Sequence, residues 1–435
     1  MIMITTHQNG GAITVMLAAR AINPLSRLFQ RELAALIDKL EAKRGELHGV
    51  IVGFHADAGD SDHEVEHLMS LTTAQAGDCM QMLGAYNALL RRLECLGIPV
   101  IATLGGAVSG HALGLALACH HRISLVDATF SLPQVHLGVA PVAGEIARSV
   151  RLAGLQAAMP LLLEGATLTA DQALRAGLLH AVADNEEEVA ELVHGTMAAD
   201  APAVQPWDVK GFRLPGGALT SAPVQTLLQV APALLRERTG GHAPAPEAIL
   251  CAMVEGLQVD FDSALLIESR YFCQTAISPV ARNLIRLSQI RADLSSRAAL
   301  DLAAALRQRY AGEVQALRAQ AVPEALLRNA VRAAGLPPPP DTDALPAQAD
   351  DAAVAPDLAD IRDRLLYALS TTAQDQVGSG ALGNDEADLV SVRLFGFPAH
   401  TGGAVHFVQH VGQPHYANRA AELGTRHTRP AGNGA

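Results

Sequence analysis

The first arrangement in the chain that could do chemistry is His63-Glu64-Val65-Glu66-His67. On a helix, histidines four apart share one face and can hold zinc, with the glutamate as general base. Zinc proteases set this motif within helical flanks and add a third ligand, whereas here the turn-like DAGDSD precedes it. A metal-dependent hydrolase is therefore a minor reading. His63, His67 and His111 are candidate ligands of an adapted site, but a chain with 17 histidines brings some together by chance. Glu145 follows Pro141 at the expected start of a helix. It is either a catalytic carboxylate or one favoured there by the helix dipole alone. Asp62, His63 and His111 are further polar candidates, each equally readable as a residue satisfied by a local hydrogen bond. Cys119 lies in an apolar run and reads as a small buried residue, not a nucleophile.

Such residues need elements to hold them. The chain has 435 residues, 49% hydrophobic and 17% charged, which is enough for two or three folded domains. Its formal net charge of −12 and the lack of basic runs interleaved with aromatics argue against nucleic-acid binding. Five cysteines without a CxxC pair indicate neither a disulfide framework nor a zinc ribbon, and suit a reducing cytoplasm. The N-terminus shows no signal-peptide pattern. Residues 97–119 lack a formal charge, yet five glycines, Pro99 and His111 make them a buried strand and a glycine turn, not a membrane span.

Short strands are expected at 13–16, 49–54, 98–104 and 122–125. Between them, Leu25, Leu28, Phe29, Leu33, Leu36, Ile37 and Leu40 form the apolar stripe of a first helix. Further helices are expected at 73–95 and 111–121. The class is α/β. From 145 to 200 the pattern is mainly helical. Residues 201–248, rich in Pro and Gly, read as an extended connection, and helices return from 247 to about 332. LPPPPDTDALPAQADDAAVAPD at 336–357 reads as a linker, and 358–431 as a small helical unit.

The stretch IPVIATLGGAVSGHALGLALACHHRISLVDATFSLPQVHLGVAP at 98–141, with LEGATLTADQALRAGLLHAV at 163–182, resembles the crotonase (enoyl-CoA hydratase/isomerase) superfamily. QPWDVKGFRLPGG at 205–217 and VDFDSALLIESRYF at 259–272 are similar to the hydratase part of the multifunctional fatty-acid oxidation α-chain. No GxGxxG turn of a dinucleotide domain follows Arg286. Instead, 307–337 and 362–412 are similar to the helical C-terminal segments of 3-hydroxyacyl-CoA dehydrogenases. The resemblance implies a crotonase (ClpP-like) spiral of ββα units followed by an α-helical C-terminal region. It divides the chain into a core at 1–200, a connecting and helical segment at 201–290, dehydrogenase-like helices at 291–337 and 358–435, and a linker at 338–357.

The same resemblance implies a thioester carbonyl polarised by two backbone N–H groups. The donor positions match His63, in Ser61-Asp62-His63-Glu64, and His111, in Gly110-His111-Ala112-Leu113-Gly114. Gln134 and Pro141 line the implied substrate site with Gly110. The two glutamates that hydrate an enoyl thioester would stand at Gly114 and Gln134, where neither residue can act as an acid or base. The aspartate that some relatives place after the proline matches Val142. Ordinary hydration is not expected, nor is dehydrogenation, and NAD is not implied. The histidine pair His120 and His121 has a family counterpart and is expected to be structural, and Trp207 is expected to pack under the connecting segment.

Three function classes follow. The first is a diverged enzyme on an acyl-CoA or acyl-carrier thioester, through isomerisation, hydrolysis or decarboxylation, with no cofactor required beyond the thioester itself. The second is a catalytically inactive thioester binder or partner subunit. The third is the metal-dependent hydrolase. Glu145 or Asp62 directed at the converging N–H groups would favour the first, and a cleft filled by His111 or Gln134 the second. A homo-oligomer is expected, with a thiolase-like or other pathway partner, and no membrane span.

Overall fold

The computed structural model describes residues 3–55, 62–198, 203–339 and 356–427. The chain divides into two compact units, Met1–Glu237 with Ala243–Arg282, and Arg238–His242 with Asn283–Ala435.

In the first unit, strands β1 (Ile4–Asn9), β2 (Ala12–Ala18), β3 (Gly49–His55), β4 (Val100–Leu104), β6 (His121–Leu125) and β9 (Ala181–Ala183) form one sheet in the order β1-β2-β3-β4-β6-β9. Only the β1–β2 pair is antiparallel, and the rest are parallel. A second sheet joins β5 (Ala107–Ser109), β7 (Thr129–Ser131) and β8 (Leu168–Thr169). The four expected strands are all present, and β1, β5, β7, β8 and β9 are additions. The β1–β2 hairpin closes through Gly10–Gly11, with Gly10 at a φ of 56° that suits a two-residue turn.

Helix α1 (Arg27–Lys43) starts from Ser26, whose hydroxyl accepts the Phe29 N–H. Phe29, Leu33, Ile37 and Leu40 are at most 1% exposed. Each such side chain contributes roughly 1.5–3 kcal/mol on burial. Leu28, expected in this stripe, is 56% exposed, because the buried face runs through 29, 33, 37 and 40. Next come α2 (Asp62–Ser70), α3 (Ala76–Glu94) and α4 (His111–Leu117). The turn-like run expected at 57–62 lies outside the described residues except for Asp62, where α2 begins, and one expectation changes here. Helix α4 stops at Leu117 rather than 121, because the His120 ring is fixed between two backbone groups: the Val100 N–H donates to its Nδ1, and its Nε2 lies 2.8 Å from the Glu94 carbonyl.

Helices α5 (Glu145–Ala153), α6 (Leu155–Leu163), α7 (Ala170–Arg175) and α8 (Glu186–Ala198) follow. The stretch expected to be extended contains helix α9 (Ala222–Thr239). Pro223 falls in its first turn, where no N–H is needed, and Val224, Ala231 and Leu235 bury one face at helical spacing. Helices α10 (Pro244–Gly256), α11 (Phe261–Ala276) and α12 (Pro279–Gln289) complete this part of the chain.

The second unit is helical: α13 (Arg297–Ala319), α14 (Glu324–Ala334), α15 (Pro356–Gly378), α16 (Asn384–Val390), α17 (His406–Val411) and α18 (Gln413–His427). Residues 299–336 and 361–423 share one core, built on Leu302, Leu306, Leu365, Leu369 and Phe407. Most of the expected linker lies outside the described residues.

Candidate active site

Two loops and two helix starts build the site. Gly110 precedes α4 at φ 55° and ψ −132°, a conformation glycine adopts readily, and its N–H donates to Ser131 O at 2.9 Å. This tie to β7 sets His111 at the head of α4, 8% exposed. Across from it, the 3₁₀ turn Pro133–Leu137 carries Gln134, 7% exposed. The chain then passes buried Pro141 into Ala143 and Gly144, at φ 65° and 83°. Ala143 in the left-handed region costs on the order of 1 kcal/mol or more, which the surrounding contacts must offset. Gly144 is required, since a Cβ there would collide with the Arg148 guanidinium.

This turn delivers Glu145 into the site, fully buried. Its Oε1 lies 2.6 Å from His111 Nδ1, and its Oε2 accepts from Gln134 Nε2 at 2.8 Å and from the Val142 N–H at 3.2 Å. Gly114 lies beside this network. A Cβ at 114 would stand 2.7 Å from Glu145 Cγ and 2.9 Å from Oε1. The carboxylate thus occupies space that any side chain at position 114 would need. His111, Gln134 and Glu145 come together as one hydrogen-bonded group, and Val142 joins it through its backbone.

Glu145 does not cap its own helix. That role belongs to Glu268 on α11, whose two oxygens accept the Gly144 and Ala147 N–H groups at 2.8 and 2.9 Å. Burial, with the nearby Glu145, pushes the Glu268 carboxyl up to about 8 against the pull of those two donors. From the same helix, Thr275 Oγ1 accepts the Ala140 N–H at 3.0 Å. Arg148, fully buried, pairs with Glu94 on α3 at 2.7 Å and donates to the Ala143 carbonyl at 2.8 Å. Losing one partner of such a pair leaves an uncompensated buried charge, at about 3–5 kcal/mol.

Glu268, Thr275, Arg148 and Glu94 were not singled out from sequence. The available signal was a charged residue in an otherwise apolar helical stretch, as Glu268 is in ALLIESRYF. Cys119 is fully buried, and burial pushes its thiol up to about 12. His120 is held neutral by burial, its pKa lowered to about 4. His121 packs edge-on against His180, at 5.1 Å between ring centroids. Trp207 stacks on Phe261 at 4.6 Å. Asp62, His63 and His67 lie on α2, and the side chains of Asp62 and His63, the latter one of the three candidate metal ligands, are outside the described residues, as is Ser61. Among the described residues, no three His, Cys, Asp or Glu side chains gather as a metal site. Nor is any helix among them long and apolar enough to cross a membrane.

Residues 8–200 match the enoyl-CoA hydratase/isomerase family model. This region is a crotonase fold. Similar solved structures include an enoyl-CoA hydratase/carnithine racemase from Magnetospirillum magneticum, 28% identical, with 46% of this chain and 76% of that one covered and a TM-score of 0.40. An enoyl-CoA hydratase from Rhodobacter sphaeroides is 17% identical over 66% of this chain and 89% of its own, with a TM-score of 0.47. One from Bacillus halodurans is 19% identical over 62% and 99%, with a TM-score of 0.39. The crotonase fold of the N-terminal unit is followed by a mostly helical C-terminal region.

Proposed function

We propose that this chain binds an acyl thioester of coenzyme A or of an acyl carrier protein, and moves a proton on it through His111, oriented by Glu145. The observation behind this reading is the overlap of the Glu145 carboxylate with the side-chain space of Gly114. The carboxylate lost from the family's first glutamate position is replaced from a different helix.

The roles divide by hydrogen bonding. With its oxygens engaged by His111, Gln134 and the Val142 N–H at 2.6–3.2 Å, Glu145 is placed to orient His111. With Nδ1 donating to Glu145, the ring's lone pair lies on Nε2, the nitrogen suited to proton transfer. The backbone N–H groups near His63 and His111 would stabilise the enolate-like charge of the thioester. One base suffices for isomerisation, where the same group removes and returns a proton, or for activating water in hydrolysis. Hydration as the family performs it needs two carboxylates and is not expected, and decarboxylation would use the oxyanion donors alone. NAD has no part, and the dehydrogenase-like C-terminal helices do no chemistry in this scheme. Homo-oligomeric assembly and a cytoplasmic setting belong to the same proposal.

A second reading, a thioester binder without catalysis, is favoured by one observation. His111, Gln134 and Glu145 are at most 8% exposed, and Glu145 bonds both of the others. Full-length protein should be given crotonyl-CoA, a long-chain enoyl-CoA and a saturated acyl-CoA in deuterated water, with binding followed by calorimetry and label uptake by mass spectrometry. Proton transfer should deposit deuterium on the acyl chain and drop roughly 10²–10⁴-fold in His111→Ala and Glu145→Gln. Binding without label or product would select the second reading. Rapid hydration that survives Glu145→Gln would refute the first.

A further inference from the structure

Cys79 on α3 and Cys273 on α11 are free thiols whose sulfurs stand 3.2 Å apart, both nearly buried, though 194 positions separate them in sequence. The same two helices are tied again where Asn87 Nδ2 donates to Ser269 Oγ at 3.5 Å. Helix α11 is also the back support of the turn that delivers Glu145: Thr275 holds the Ala140 amide, and Glu268 holds those of Gly144 and Ala147. Cys273 lies between these two supports.

We propose that Cys79 and Cys273 form an oxidation site, at which a peroxide joins the two sulfurs, locks α11 to α3 and stiffens the turn bearing Glu145. The Cys273 sulfur, as thiolate, attacks one peroxide oxygen. The S–O bond forms, the O–O bond breaks, and the departing hydroxide takes up a proton as water. The Cys79 sulfur, giving up its proton, then attacks the Cys273 sulfur. The S–S bond forms, the S–O bond breaks, and a second water leaves. Two thiols are oxidised by two electrons and one peroxide is reduced to two waters. At the 3.2 Å contact a hydrogen bond from Cys79 lowers the Cys273 pKa and raises that of Cys79, which makes Cys273 the attacking sulfur. This inference stands whichever reaction the site performs.

The test uses the full chain treated with hydrogen peroxide, then denatured, alkylated and mapped without reduction. Cys95 and Cys251, which are exposed, are replaced by serine to suppress competing links. The expected product has lost two hydrogens, joins the Cys79 and Cys273 peptides, and reverts with dithiothreitol. It should be absent from Cys79→Ser and Cys273→Ser. Amide exchange at Ala140, Gly144 and Ala147 should slow about tenfold or more in the oxidised form. Two thiols that still alkylate, or that proceed to sulfinic acid, would overturn the site. Unchanged exchange at the three amides in the linked protein would overturn its coupling to the turn.

Discussion

Glu145 and Gly114 lie on different helices, yet the carboxylate of one fills the side-chain space of the other, with only 2.7 Å between Glu145 Cγ and a Cβ at 114. Substituting one therefore acts through the other. Gly114→Ala should destabilise the protein by about 1–3 kcal/mol, the usual range for overpacking a closed core. In a denaturant-unfolding cycle with Glu145→Ala, the double variant should be more stable than the two single effects added together. Strict additivity would show that the two positions do not compete for space.

Placing a glutamate at position 134 should be costly. Gln134 donates to Glu145 at 2.8 Å, so Gln134→Glu sets two carboxylates against each other. One of them must then keep its proton in the folded state, with its pKa raised above the unfolded value. The folded form binds the extra proton, so stability relative to wild type should fall as pH rises above about 4.5. A pH series of melting temperatures for both proteins would read this directly, and parallel curves would count against it.

Glu268 predicts a second pH dependence. Its carboxyl is raised from 4.5 to about 8, so between those values the folded state binds more protons than the unfolded one. Its contribution is fully present below pH 4.5 and is lost as pH rises toward 8, with a slope approaching about 1.4 kcal/mol per pH unit. Glu268→Gln should flatten the stability curve in that window. Unfolding by urea at several pH values measures it, and an unaltered slope in the variant would contradict the assignment.

His120 acts in the opposite sense. Burial lowers it from 6.5 to about 4, so the unfolded chain binds more protons between those values. The stability it contributes is present above pH 6.5 and is lost as pH falls toward 4. His120→Ala should remove this slope. It should also leave the Val100 N–H and the Glu94 carbonyl without their ring partner, at about 1–3 kcal/mol for each group left unsatisfied. Acid unfolding followed by circular dichroism tests both parts.

Sequence disclosed some of these relationships and hid others for physical reasons. The strands at 49–54 and 98–104 and the stripe through Phe29, Leu33 and Ile37 were readable because period and apolarity agree there. That Gly114 and Gln134 cannot act as an acid or base was readable from residue type alone. The partner of Glu145 was not, because a helix dipole explains a carboxylate at a helix start equally well. The N–H groups at the start of α5 are held by Glu268, 123 positions away, a partner that no local pattern announces. Helix α9 was obscured by Pro223 and Pro232, which weigh against a helix in composition although the first of them sits where a helix tolerates it.

The fit between positions 114 and 145 also has a historical consequence. In the present arrangement even a methyl group at 114 would overlap Glu145, so no chain can hold a glutamate at both positions in this pose. If a glutamate once stood at 114, as proposed, its loss came before the gain of Glu145 or together with it. Related chains should therefore divide cleanly: those with a glutamate at the position of 145 should carry glycine at the position of 114.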